Sequence, residues 1–190
     1  MVNKRPTKKQ HRAEHLAYWE AMPSLKKGIH LFPGHKLRCE WIVPRVIGDC
    51  LDCGCQDGTF TNEIAKAGHK AVGIDILPFN IKQAKRNYPD CQFFVMDIEE
   101  MDFKDESFDT VVMTETLEHL INPKIGLKEA QRVLKKGGRF LCSVPNGYDP
   151  QPTHYNTFDY KGLTEIVGTY FEIEDIEGDL GSFRVVARKA

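Results

Sequence analysis

At 190 residues, 41% hydrophobic and 28% charged, the chain has material for one domain with a substantial core and not for two. A formal net charge of -1 argues against a dedicated nucleic-acid binder. No apolar stretch is long enough to span a bilayer, and the polar start lacks the apolar centre of a secretory signal, which together predict a cytoplasmic protein.

Lys4, Arg5, Lys8, Lys9 and Arg12 precede the first acid, Glu14, so residues 1–12 are expected to form a basic, flexible tail. From about Lys9 to Met22 the pattern predicts a helix with Leu16, Trp19 and Tyr18 on its apolar side, ended before Pro23. A turn at Pro33 and Gly34 opens a second helix in which Leu37, Trp41 and Ile42 have helical spacing. Residues 13–47 thus read as a helical lid ahead of a core at 48–190, the two forming one domain.

Strands are predicted near Asp49–Cys53, Lys70–Ile74, Cys91–Met96, Phe108–Met113 and Arg139–Val144, with helical patterns in most of the gaps. Such alternation implies parallel strands joined by right-handed crossovers. The last two runs, "YFEIEDIEG" and "SFRVVARK", flank the turn-like "DLGS" and predict an antiparallel hairpin. The expected fold is α/β: a doubly wound, mainly parallel, seven-stranded Rossmann-like sheet with a C-terminal antiparallel hairpin and N-terminal helices. Cys50, Cys53, Cys91 and Cys142 lie in or beside the apolar runs and no CxxC pair is present, so the six cysteines read as reduced structural thiols.

In open α/β sheets a ligand lies beyond the carboxyl ends of the strands, at the switch point beside the first strand. There the sequence reads "LDCGCQDGTF". Gly54 and Gly58 allow unusual backbone angles and close approach to a ligand. Gln56 and Thr59 stand where a dinucleotide fingerprint has its second and third glycines, so a pyrophosphate loses support. Asp52 offers a carboxylate suited to an ammonium group. Asp75 closes "VGIDI" at a position to accept from ribose hydroxyls, and Asp97 in "FFVMDI" is placed for an adenine amino group.

"LDCGCQDG", "VGIDILP", "VMDIEE", "FDTVVMTETLEHL" and "VLKKGGRFLCSVPN" resemble, in order, the motifs of class I S-adenosylmethionine-dependent methyltransferases. The resemblance runs from about Gly34 to the C-terminus and is nearest to the ubiquinone-biosynthesis O-methyltransferases and related small methyltransferases. It implies S-adenosylmethionine as cofactor, contacted by Arg38, Asp52, Gly54, Gly58, Asp75, Ile76, Asp97, Ile98 and Thr114. Arg38 falls on an upstream "LR" motif as partner of the cofactor carboxylate, and reads equally as a solvated helix arginine. Gln56 departs from the "GCGxG" turn of the family and is expected to cost on the order of 1 kcal/mol if its φ is positive.

Methyl transfer from a sulfonium needs an aligned nucleophile and a proton acceptor. "TETLEHL" supplies Glu115, Glu118 and His119, which a helical turn would place on one face. His119 reads as a general base, with Glu118 and His154 of the loop after the fifth strand as further catalytic candidates. Alternatively, Glu115, Glu118, His119 and His154 could hold Mg2+ or another divalent cation; metal-binding versions of ExxEH occur in the resembled enzymes, and a related arrangement in small-RNA 2′-O-methyltransferases. The expected partner is a small-molecule methyl acceptor. RNA 2′-O-methylation and a non-catalytic cofactor-binding scaffold are the alternatives, and the oligomeric state is open.

Overall fold

The computed structural model describes residues 5–21, 34–147, 151–179 and 181–190, apart from the side chains of Trp19 and Glu20. The apolar role expected of Trp19, the end of the first helix at Met22 and the turn residue Pro33 therefore lie outside the described residues.

Seven strands form one sheet: β1 (Cys50–Cys53), β2 (Ala71–Asp75), β3 (Gln92–Val95), β4 (Phe108–Thr114), β5 (Leu134–Pro145), β6 (Glu172–Gly178) and β7 (Ser182–Arg188). Their order is β3-β2-β1-β4-β5-β7-β6. Strands β1 to β5 pair in parallel, whereas β7 runs antiparallel to both β5 and β6. The winding direction reverses on either side of β1, so the switch point falls at the end of "LDCG". Every residue of β1 and β2 is buried, as expected of strands covered on both faces.

The helices are α1 (Lys8–Ala21), α2 (His35–Ile42), α3 (Thr59–Lys66), α4 (Pro78–Asn87), α5 (Pro123–Val133) and α6 (Tyr160–Gly168). Trp41 and Ile42 of α2 and Phe60 and Ile64 of α3 pack on one set of strand side chains, including Val112, Leu141 and Val186. On the opposite set, Leu127 and Ala130 of α5 join Leu163 and Val167 of α6 against Leu51, Val111 and Phe140. This is the three-layer arrangement that parallel strands with apolar crossovers require. The six cysteines are free thiols, and among the described residues no helix is long and apolar enough to cross a membrane.

Four readings of the sequence change. Strand β5 begins at Leu134 instead of Arg139, because Leu134 pairs with Phe108 before the register shift that follows it. Leu37 is 64% exposed, so α2 holds on through Trp41 and Ile42. Leu16 is 37% exposed, whereas His11 and His15 of the same helix are buried, so α1 turns a histidine face inward. Helix α1 also starts at Lys8, inside the segment expected to be a flexible tail. Its first turn is tied down: Lys8 Nζ lies 2.9 Å from both Asp97 Oδ2 and Glu100 Oε2, and the Arg5 guanidinium donates to the Ile121 carbonyl.

Candidate functional site

The turn after β1 is built from backbone angles that few side chains adopt. Gly54 has φ 82°, and a Cβ there would fall 2.7 Å from Thr116 Oγ1. Gln56 does occupy the left-handed region, at φ 47°. Its N–H donates to Asp75 Oδ2 at 3.1 Å, tying the turn to the end of β2. Replacing Gln56 by Gly would relieve roughly 1 kcal/mol of backbone strain. It would also loosen the unfolded chain by about 0.4–1 kcal/mol. The two effects oppose each other, and Gln56→Gly is expected to leave the unfolding temperature within about 2 °C of the parent in calorimetry.

Two adjoining cavities, a larger and a smaller, open at this turn and share Gly54, Gln56 and Glu115. Asp75, Ile76, Asp97 and Ile98 line the larger, while Arg38, Asp52 and Thr114 line the smaller. Arg38 Nε and Thr114 Oγ1 are buried there without a hydrogen-bond partner. Such orphaned atoms call for a ligand or ordered water. The structure thus brings together eight of the nine residues expected to contact the cofactor. Gly58 is the exception: it lines neither cavity, and its φ of 83° starts α3 beneath Phe93 and Ala84, where a Cβ would meet Phe93 Cζ at 2.6 Å. That glycine serves packing between helix and sheet.

Each acid is held differently. Asp75 accepts from Leu77 N at 2.8 Å and from Gln56 N at 3.1 Å, and the Asn80 side chain donates to it as well. Burial pushes its carboxyl above the ordinary range, against the hydrogen bonds from Leu77, Asn80 and Gln56. Asp52 accepts from Thr61 Oγ1 at 2.7 Å, and burial, assisted by Asp75 and Asp57, raises its pKa to about 6 against that bond. Asp97 accepts from Glu99 N at 2.9 Å and pairs with Lys8 of α1.

The ExxEH segment is not the single helical face expected. Only Leu117–His119 makes one tight turn, and Glu115 ahead of it sits at φ 49°. The Glu115 carboxylate accepts from Ser143 Oγ at 2.8 Å, which separates it from the other candidate metal ligands. Glu118, His119 and His154 do converge, with one ligand atom from each lying within 4.8 Å of the others. His119 Nδ1 lies 2.9 Å from the Thr153 carbonyl and must donate to it, so Nε2 carries the lone pair, 4.0 Å from Glu118 Oε1. A ring nitrogen held by a backbone carbonyl is the usual support of a metal-binding histidine. The donor set fits a divalent ion, and two imidazoles with one carboxylate suit a zinc-like ion better than Mg2+. Glu118 and His154 line a narrow crevice, apart from the large cavity that His119 reaches.

Sequence reasoning missed two residues of the site, His11 and His15, which line the large cavity from α1. His11 Nε2–H donates to the His119 carbonyl at 2.8 Å. The His15 ring centroid lies 4.5 Å from that of His11 and 5.1 Å from that of His119. Burial, and then His119, His11 and His154, push His15 down to about 3, so its ring is neutral near neutrality. The other end of α1 is held by Tyr18 Oη, which donates to Gln151 Oε1 at 2.7 Å. The i, i+4 spacing in "HRAEH" was the available signal, and an apolar count passes over it.

A mixed sheet in this order, with Asp52 and Asp75 at or next to the ends of β1 and β2 beside an open cavity, has the layout expected of a class I methyltransferase domain, and the comparisons agree. Residues 51–142 match the family described as Methyltransferase domain. A probable S-adenosylmethionine-dependent methyltransferase of Mycolicibacterium smegmatis is 30% identical over 83% of this chain and 65% of its own length. The chain is thus similar, over most of its length, to the S-adenosylmethionine-dependent methyltransferases. It spans between 30% and 65% of the length of the curated relatives it matches.

Among solved structures, the 1,6-didemethyltoxoflavin-N1-methyltransferase of Burkholderia thailandensis, holding its namesake and S-adenosylhomocysteine, aligns with TM-score 0.78 at 18% identity, over 100% of this chain and 93% of its own. The [4+2]-cyclase SpnF aligns with TM-score 0.81 at 18% identity, over 97% of each chain. A neighbour named as a cyclase shows that the shared fold alone does not specify the reaction.

Proposed function

We propose that the protein methylates an oxygen of a small metabolite in the cytoplasm, using S-adenosylmethionine, with His119 as proton acceptor. The observation that supports this most is the continuity of the large cavity, which carries Asp75 and Asp97 at one end and His119, under α1, at the other.

In this reading Arg38 takes the cofactor carboxylate and Asp52 its ammonium group. Asp75 accepts from the ribose hydroxyls and Asp97 from the adenine amino group, with Ile76 and Ile98 beside the ring and Gly54 and Thr114 at the turn. Bound there, the cofactor supplies a sulfonium methyl group open to displacement. His119 serves as base through Nε2, since its Nδ1–H is engaged by Thr153 and the imidazole titrates near neutrality in its ordinary state. The B. thailandensis neighbour with its bound small molecule agrees with a small acceptor.

The reading is tested first by calorimetric titration with S-adenosylhomocysteine; no saturable binding would remove it. Once an acceptor is identified, His119→Ala is expected to bind the product as the parent does and to lower kcat by about 100-fold or more, the usual contribution of a general base. Unchanged turnover would rule out the role given to His119.

A second reading, metal-assisted transfer to RNA, draws on the convergence of Glu118, His119 and His154. The basic start that would favour RNA is in part engaged elsewhere, through Lys8 on Asp97 and Glu100. Salt-sensitive RNA binding that needs residues 1–12 would restore it.

A further inference from the structure

We propose that His11 and His15 of α1 form an acceptor-recognition wall that selects a substrate presenting hydrogen-bond donors and no negative charge. This rests on the methyl-transfer reading and adds to it the chemical class of the acceptor.

Helix α1 spends two side chains on this face that are poor at packing and good at hydrogen bonding. His11 and His15 are 5% and 8% exposed and both line the large cavity. Because a carbonyl only accepts, the bond from His11 Nε2 to the His119 carbonyl fixes the proton on Nε2 and leaves the lone pair on Nδ1. That Nδ1 is buried and has no hydrogen-bond partner, and neither has His15 Nε2. A buried polar atom left unmatched is costly, so this wall is incomplete as it stands.

The rest of the lining carries the same sign. Asp75, Asp97, Glu99 and Glu115 border the cavity, Asp97 paired with Lys8 behind it, and no lysine or arginine lines it among the described residues. Lone pairs and carboxylates together attract N–H and O–H groups. They repel carboxylates and phosphates, which bring only acceptors of their own and a negative charge. An imidazole pair on a roof helix therefore does what an apolar lid cannot: it reads the acceptor's polar group.

The test uses protein saturated with S-adenosylhomocysteine and four probes that share one ring: phenol, benzylamine, benzoate and phenyl phosphate. Binding is followed by titration, and the histidine ring nitrogens by long-range 15N NMR. Phenol and benzylamine are expected to bind at least about tenfold more tightly than the two anions, the size of a buried hydrogen bond. Their binding should move the nitrogen signals of His11 and His15.

His11→Phe and His15→Phe keep a ring and remove the lone pairs. Each is expected to erase most of the preference, with thermal unfolding checking that it folds. Anions that bind as well as the donors would overturn the proposal, as would a preference that survives in both variants. Failure of all four probes on protein that does bind S-adenosylhomocysteine would overturn it too. If S-adenosylhomocysteine itself does not bind, the fault lies with the methyl-transfer reading.

Discussion

Asp75→Ala is expected to weaken S-adenosylhomocysteine binding by about 100-fold. A buried carboxylate that accepts from two ribose hydroxyls makes charge-assisted bonds of roughly 1.5–3 kcal/mol each, and about 1.4 kcal/mol is a factor of ten. The substitution acts twice. It removes the ribose acceptor, and it releases the N–H groups of Gln56 and Leu77 that the same carboxylate holds at 3.1 and 2.8 Å. Since Gln56 sits at φ 47°, a turn freed from Asp75 has little reason to keep its shape.

Asp75→Asn separates the two effects. An amide oxygen can still accept from one backbone N–H, while the charge is lost, and about a tenfold weakening is expected. Titration calorimetry on the three proteins, with unfolding temperatures beside it, decides the point. Affinity within about threefold of the parent in Asp75→Ala would show that the ribose is held elsewhere.

The strand ends were legible in the sequence because they combine two strong signals: an apolar run buried on both faces, then an acid where the chain must leave the sheet. Asp52 and Asp75 follow that pattern, and the cavities lie beside them. Gly58 carried a weaker signal, since a glycine in a turn reads the same whether it admits a ligand or the ring of Phe93. The ExxEH face was misread because the i, i+3, i+4 rule presumes α-helical angles throughout. Glu115 departs from them at the first position, and nothing in its neighbours announces a positive φ.

Helix α1 failed in another way. Hydrophobic periodicity picks out Leu16, Tyr18 and Trp19, but among the described side chains this helix also docks through His11 and His15, polar rings that meet His119 more than a hundred residues downstream. A helix that docks on a polar site is invisible to a pattern built for cores. Its buried face is matched to a cavity more than to a core.

Asp52 is expected to make both stability and cofactor binding depend on pH near 6. Burial raises its pKa from the ordinary 3.8 to about 6, so the folded protein holds this proton more tightly than the unfolded chain does. Between about pH 4 and pH 6 the unfolded state is the one that binds fewer protons. The contribution of Asp52, read as the ligand-free parent minus Asp52→Asn, should therefore fall as pH rises through that window, by up to about 3 kcal/mol, and level off above it. A cationic ammonium group beside the carboxylate reverses the preference, since it favours the charged form.

Binding of S-adenosylhomocysteine at pH 5.5 should then release most of a proton, and binding at pH 7.5 almost none. Calorimetry in two buffers with different heats of ionisation reads that number directly. Asp52→Asn, which keeps an acceptor for Thr61, should remove the proton release, weaken binding above pH 6 and stabilise the ligand-free protein there. Proton release that persists in Asp52→Asn would move the titrating group to another acid of the site. A difference in ligand-free stability, parent minus Asp52→Asn, that rises between pH 4 and pH 6 would mean that Asp52 is paired in the folded chain, leaving the ammonium of the cofactor without the partner assigned to it.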